Sequence, residues 1–217
     1  MEGELSMWSL SPIFFVLVLL LGVWIAMSRE IRVAVHGYLL QTGLVALLYG
    51  LTALQTKDPM VYVALCGLVV LRLGLIPWLL RRFLRGALYT SRNTNEVFSP
   101  AHGLVVYILL AAIGITTGQR GLPGILGLDL GIAVAVLLVG LATVTIAHHA
   151  PKQVMGILAS DNGIDLAVVL TLRRIPVVAD YAVFLDVTVA VLCLTLMVLR
   201  LSTYGSEHAH HFNELKG

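Results

Sequence analysis

The stretch 130–149, LGIAVAVLLVGLATVTIAHH, decides the fold. From Leu130 to Ala147 it carries no charged side chain. A helix crossing the hydrocarbon core of a bilayer needs about 20 predominantly apolar residues. The run is continuously apolar, whereas a membrane β-strand alternates apolar and polar positions, so a barrel is excluded. Comparable runs fall at about 10–27, 33–54, 60–80, 101–118, 154–172 and 177–200. The expected fold is therefore all-α, a polytopic membrane helix bundle of about seven transmembrane helices.

Composition agrees. Of 217 residues, 59% are hydrophobic and 12% charged, against about 25% charged in a soluble domain. Mean hydropathy is +0.94. So few charges cannot cover a soluble surface, which excludes a soluble enzyme, a nucleic-acid binder and a disordered chain. Seven spans use about 140 residues and leave little room for a soluble domain. Cys66 and Cys193 lie in apolar runs, with no CxxC and no Cys/His cluster of metal spacing, so both read as small buried hydrophobes. The tail histidines His208, His210 and His211 read as solvated. No metal site, cofactor motif or catalytic constellation is expected. Glu2 and Glu4 precede the first run without a basic segment, which argues against a cleaved signal peptide.

The breaks between runs carry helix-ending residues, as in Lys57-Asp58-Pro59 and Arg173-Arg174-Ile175-Pro176. Alternating the loops of seven helices puts nine basic residues on one side: Arg29, Arg32, Arg81, Arg82, Arg85, Arg92, Lys152, Arg200 and Lys216. The other side holds four: Lys57, Arg120, Arg173 and Arg174. Basic loops stay cytoplasmic, so the chain is expected in the cell inner membrane with its C-terminus in the cytoplasm. Gly114-xxx-Gly118 and Gly127-xxx-Gly131 fit close helix packing.

Four charges fall where lipid should be: Arg72, Asp161, Asp165 and Asp186. A charge at mid-membrane costs about 2.5–3.5 kcal/mol on insertion scales, so such groups turn inward, pair or titrate. Depth follows from the helical rise of about 1.5 Å per residue. Asp161 comes out roughly 18 Å from Arg173, Asp186 roughly 14 Å from Val177, and Arg72 roughly 14 Å from Arg81. Asp165 shares a helix face with Asp161, one turn along. All four fit one central polar layer. Low dielectric penalises a carboxylate and a nearby cation favours it. Carboxyls interleaved with a basic group thus suit proton transfer, with Asp161, Asp186 and Asp165 as carriers and Arg72 as electrostatic partner. His148 and Thr188 are candidate relay members, with Thr143, Thr145 and Thr195 as further hydroxyls. His36 and His102, near helix starts, read as interfacial.

The run from Gln153 to Leu166, QVMGILASDNGIDL, resembles the segment Q-x-x-G-x-L-x-x-E-N-G-I-x-L of hydrogenase-4 component E (HyfE-like) proteins. The run from Arg72 to Pro77, RLGLIP, resembles their K-x-x-x-x-P helix, and the ending FNELKG is similar to theirs. The last three helices resemble the NuoK/MrpC-type small membrane subunit of complex I and Mrp antiporters. The resemblance implies an N-terminal four-helix membrane segment over 1–128 and a NuoK-like three-helix segment with a short cytoplasmic tail over 129–217. It places family membrane acids on Asp161 and Asp186, and the family lysine on Arg72. Asp161 stands where glutamate is usual, and Arg72 cannot deprotonate as lysine can.

The implied function is a proton-conducting, non-catalytic membrane subunit of a complex-I-like redox-driven ion pump, of group-4 hydrogenase or formate hydrogenlyase type. The implied partners are an antiporter-like large membrane subunit and a quinone-site-type membrane subunit, within the lipid bilayer and without nucleic acid. The alternatives are a non-conducting scaffold of the same membrane arm and a stand-alone ion transporter. The transporter is disfavoured because the helices show no clear repeat.

Overall fold

In a computed structural model of the protein, residues 11–78, 100–122, 124–147, 150–172 and 188–189 are described. They form a helix bundle, with no strand among the described residues. The elements are α1 (Ser11–Met27), α2 (Ile31–Thr56), α3 (Pro59–Trp78), α4 (Pro100–Gly121), α5 (Gly124–Ile146) and α6 (Ala150–Leu172). Five of the six, α2 to α6, are long and apolar enough to cross a membrane, and α1 is a shorter apolar helix. The chain is a multi-pass membrane protein. The expected seventh span, 177–200, lies outside the described residues apart from 188–189.

Helix ends follow the local chemistry. Lys57 closes α2 in the left-handed conformation, its N–H bonded to the Ala53 carbonyl. Asp58 then caps α3, its carboxylate accepting from the Met60 N–H at 2.9 Å, and Pro59 takes the first helical turn, where no N–H is needed. Helix α5 starts at Gly124, so it spans positions 128 and 129 and carries Asp129 as a buried residue.

Lipid tails are as apolar as leucine, so the bundle is held by close packing rather than by removal of oil from water. Glycines make that packing possible. A Cβ at Gly114 would lie 2.5 Å from the Ala135 nitrogen, and one at Gly131 2.8 Å from the Ile115 Cα, so α4 and α5 touch backbone to backbone. The seam between α5 and α6 repeats the device. A Cβ at Gly156 would come 2.8 Å from the Val144 nitrogen, and one at Gly163 2.5 Å from the Leu137 nitrogen.

Helix α3 is not regular. From Leu68 to Leu75 it is a π-helix, and the Ile76 N–H reaches back five residues to the Leu71 carbonyl. Pro77 gives a physical reason. It has no N–H to offer the carbonyls one turn back, so the ladder cannot run undisturbed into this turn. Arg72 lies in the middle of the widened segment.

Cys66 corrects a sequence expectation. It is exposed on the outer face of α3 rather than buried. In a bilayer that face meets acyl chains, which suit a small apolar thiol as well as a protein core does.

Candidate functional site

Two apolar clusters divide the bundle along its length. One joins Phe15, Val45, Tyr49, Val61, Leu68, Val136 and Leu166. The other joins Ile25, Val35, Tyr38, Ile76, Met155 and Leu158. Between them lies a polar layer whose side chains are almost fully withdrawn: Arg72 is 1% exposed, Asp161 and Asp165 2%, and Gln41, Thr42 and Asn162 0%.

Arg72 is the centre of the layer. Its Nη2 pairs with Oδ2 of Asp161 and its Nη1 with Oδ2 of Asp165. Nη1 also donates to Oδ1 of Asn162 at 3.1 Å. The three acceptors come from one turn of α6, where positions 161 and 165 lie on one face and 162 beside them. Gly163, in the same turn, lets α6 press against α5 on the opposite side.

Asn162 continues the layer into two further helices. Its Nδ2 donates to Oε1 of Gln41 at 2.9 Å and to Oγ1 of Thr42 at 3.1 Å. Gln41 Nε2 in turn donates to the backbone carbonyl of Val18 at 3.0 Å. Gly22 leaves the space for this contact, since a Cβ there would sit 3.1 Å from Gln41 Nε2. One connected polar layer thus ties α3, α6, α2 and α1 together. Gln41 lies ten residues into α2 and Asn162 twelve into α6, so the layer is roughly 15–18 Å from the helix ends on that side.

The charge balance of the layer matters chemically. One guanidinium faces two carboxylates. With both acids ionised these three buried groups sum to one net negative charge, and net charge is expensive to bury. A proton on one acid would balance it.

The other sequence candidates distribute as follows. Asp186, His148 and Thr195 lie outside the described residues. Thr188 is exposed, while Val189 beside it packs on the cluster of Ile25, Tyr38 and Met155. Thr143 donates to the Val139 carbonyl at 2.8 Å and Thr145 to that of Ala142 at 2.9 Å, each within its own helix. Each of these two hydroxyls thus spends its own proton on a carbonyl of α5. A threonine in an apolar helix has its own carbonyls three and four residues back as its nearest acceptors. His36 and His102 are exposed, and His36 Nδ1 is 2.7 Å from the Arg32 carbonyl.

Three features escaped the sequence reading. Gln41 and Thr42 are polar residues in an apolar run, and that alone was the available signal. Asp129, 2% exposed, is a further buried acid in α5. Lys152, expected in a loop, is 4% exposed inside α6. Its Nζ donates to the Ile25 carbonyl at 2.8 Å, to the Ser28 carbonyl and to Ser28 Oγ at 3.3 Å.

These observations define a class: a multi-pass helical membrane protein with a buried arginine–aspartate cluster at mid-depth. Among known proteins, the chain is similar to the uncharacterized protein Rv0085 of Mycobacterium tuberculosis, 27% identical over 201 residues, which cover 91% of each chain. No family model matches the chain, and no solved structure matches it.

Proposed function

We propose that the chain is a proton-conducting, non-catalytic membrane subunit of a complex-I-like, redox-driven ion pump of group-4 hydrogenase or formate hydrogenlyase type. In this reading it lies in the inner membrane with its C-terminus in the cytoplasm. Its neighbours are an antiporter-like large subunit and a quinone-site-type subunit, and redox chemistry belongs to other chains. The observation that supports the reading is the pairing of one buried guanidinium with Asp161 and Asp165. With both acids ionised the three groups sum to one net negative charge, and a proton on either acid neutralises that sum. A shift of Arg72 toward one acid would release the proton from that acid and favour it on the other, which is the elementary step of a relay. Asp186, which the resemblance places on a family acid position, is the next carrier in this scheme.

A scaffold reading has its own support, because the same polar layer ties four helices together. Asp161→Asn separates the two. The variant leaves Arg72 paired with Asp165 and bonded to Asn162, groups that sum to no net charge, so assembly should persist. Vesicles containing the assembled complex should then lose most proton translocation while keeping uncoupled electron transfer. Undiminished translocation in the Asp161→Asn, Asp186→Asn double variant would leave the scaffold as the better reading.

A further inference from the structure

The polar layer has a direction. Arg72 Nη1 donates to Oδ1 of Asn162, Asn162 Nδ2 donates to Oε1 of Gln41, and Gln41 Nε2 donates to the Val18 carbonyl. Both amides therefore point their oxygen ends along the chain toward the guanidinium, and a helix backbone fixes the far end. Asn162 cannot turn its NH2 toward Arg72 without breaking its bond to Gln41. Gln41 cannot turn without losing the Val18 carbonyl. Oriented amide dipoles of this sense present their negative ends toward the guanidinium.

Three oxygen-bearing groups converge on that charge: the carboxylates of Asp161 and Asp165 and the amide oxygen of Asn162. All are hard ligands of the type that hold small metal cations. Arginine stays protonated at any physiological pH. We propose that Arg72 is the specificity-determining residue of this layer, a tethered cation that fills an oxygen cage and excludes alkali-metal ions, with Asn162 and Gln41 as the residues that position it. The exchangeable charge at the site is then a proton, because a sodium ion would have to displace a guanidinium bonded to all three groups. The physiological meaning of this inference rests on the conducting role proposed above, but the exclusion of metal ions does not.

The test reads sodium binding rather than pumping. The purified chain in detergent is melted in sodium chloride and in choline chloride of equal ionic strength. Wild type and Arg72→Lys should give the same melting temperature in both salts. Arg72→Gln should open the cage, and its melting temperature should rise by about 5 °C in saturating sodium relative to choline. Adding both Asp161→Asn and Asp165→Asn to Arg72→Gln should abolish that rise. If Arg72→Gln does not accumulate, Arg72→Gln with Asp165→Asn carries one carboxylate fewer and should show the sodium response instead. A wild-type protein stabilised by sodium over choline would overturn the inference, as would a folded Arg72→Gln variant indifferent to sodium. Failure of the conducting role gives a different pattern: normal proton translocation in the aspartate double variant, with wild-type melting still blind to sodium.

Discussion

Arg72 and Asp165 meet across the interface of α3 and α6 through Nη1, the same nitrogen that bonds Asn162, while Nη2 is left for Asp161. Each face of the guanidinium fork thus has its own acceptor. The arrangement depends on the widened turn of Leu68–Leu75, which carries Arg72 into the bundle, and on Gly163, which sets the height and distance of α6.

Arg72→Leu should be among the most damaging single changes in the chain. It removes the guanidinium from two buried carboxylates and one amide oxygen. Removing one partner of a buried pair costs about 3–5 kcal/mol. Accumulation in the membrane and thermal melting of the detergent-purified protein should both collapse. Arg72→Lys keeps a cation but not the fork, so it cannot serve Nη1 and Nη2 acceptors with the same geometry. It should assemble with a clearly lower melting temperature. Equal stability of the leucine and arginine forms would show that the pairing contributes nothing.

Gly163→Ala should perturb the cluster without touching any charged group. Its methyl would lie 2.5 Å from the Leu137 nitrogen and 2.8 Å from the Ala133 oxygen, so α6 must move off α5. Overpacking of this kind costs about 1–3 kcal/mol. Gly43→Ala in α2 is the matched control, since nothing lies within 4 Å of a Cβ there. Melting should fall for the first and stay unchanged or rise slightly for the second. The opposite order would mean that the α5–α6 seam is looser than its backbone spacing implies.

The fold was readable because a bilayer imposes one rule on every span, a run of about 20 apolar residues. The charged members of the site were readable for the same reason: Arg72, Asp161 and Asp165 stand out where lipid penalises charge. Their neutral partners were not. Gln41, Thr42 and Asn162 cost less in an apolar run, and spacing within one helix says nothing about which neighbour they will meet. Lys152 was misplaced because a lysine two residues after a helix start reads as a loop charge. Here its long stem carries the ammonium inward to carbonyls of another helix. The π segment has a cause in Pro77, but proline predicts a disturbed ladder without saying which form the disturbance takes.

Topology is open to cysteine labelling in a background lacking Cys66 and Cys193. The contact of Lys152 with Ser28 puts the α1–α2 turn and the start of α6 at the same end of the bundle. Lys57 and Gly121 then belong to the other end. Lys57→Cys and Gly121→Cys should react with an impermeant thiol reagent added outside intact cells, and Arg29→Cys should react only after permeabilisation. A periplasm-requiring reporter fused at Gly217 should give no signal. Labelling of Arg29→Cys from outside would invert the orientation drawn from the basic loops.

Lys152 should matter for stability and not for ion specificity. The last carbonyls of a helix lack the full set of donors that its interior has, and an ammonium at a helix C-terminus meets both that need and the local dipole. Lys152 supplies this to Ile25 and Ser28 from within α6, so one side chain caps α1 and fastens it to the neighbouring helix. Lys152→Met keeps most of the stem and removes all three donors. The Ile25 carbonyl keeps the Ser28 hydroxyl at 2.8 Å, while the Ser28 carbonyl loses the ammonium; a buried acceptor deprived of its donor costs about 1–3 kcal/mol, so the melting temperature should drop by several degrees. Lys152→Arg should recover part of the loss, because a guanidinium also donates to carbonyls. Lys152 lies nine residues, roughly 14 Å, along α6 from Asp161, so the sodium indifference expected of the wild type should survive in Lys152→Met. A variant that melts like wild type would show that water or another donor already serves these carbonyls.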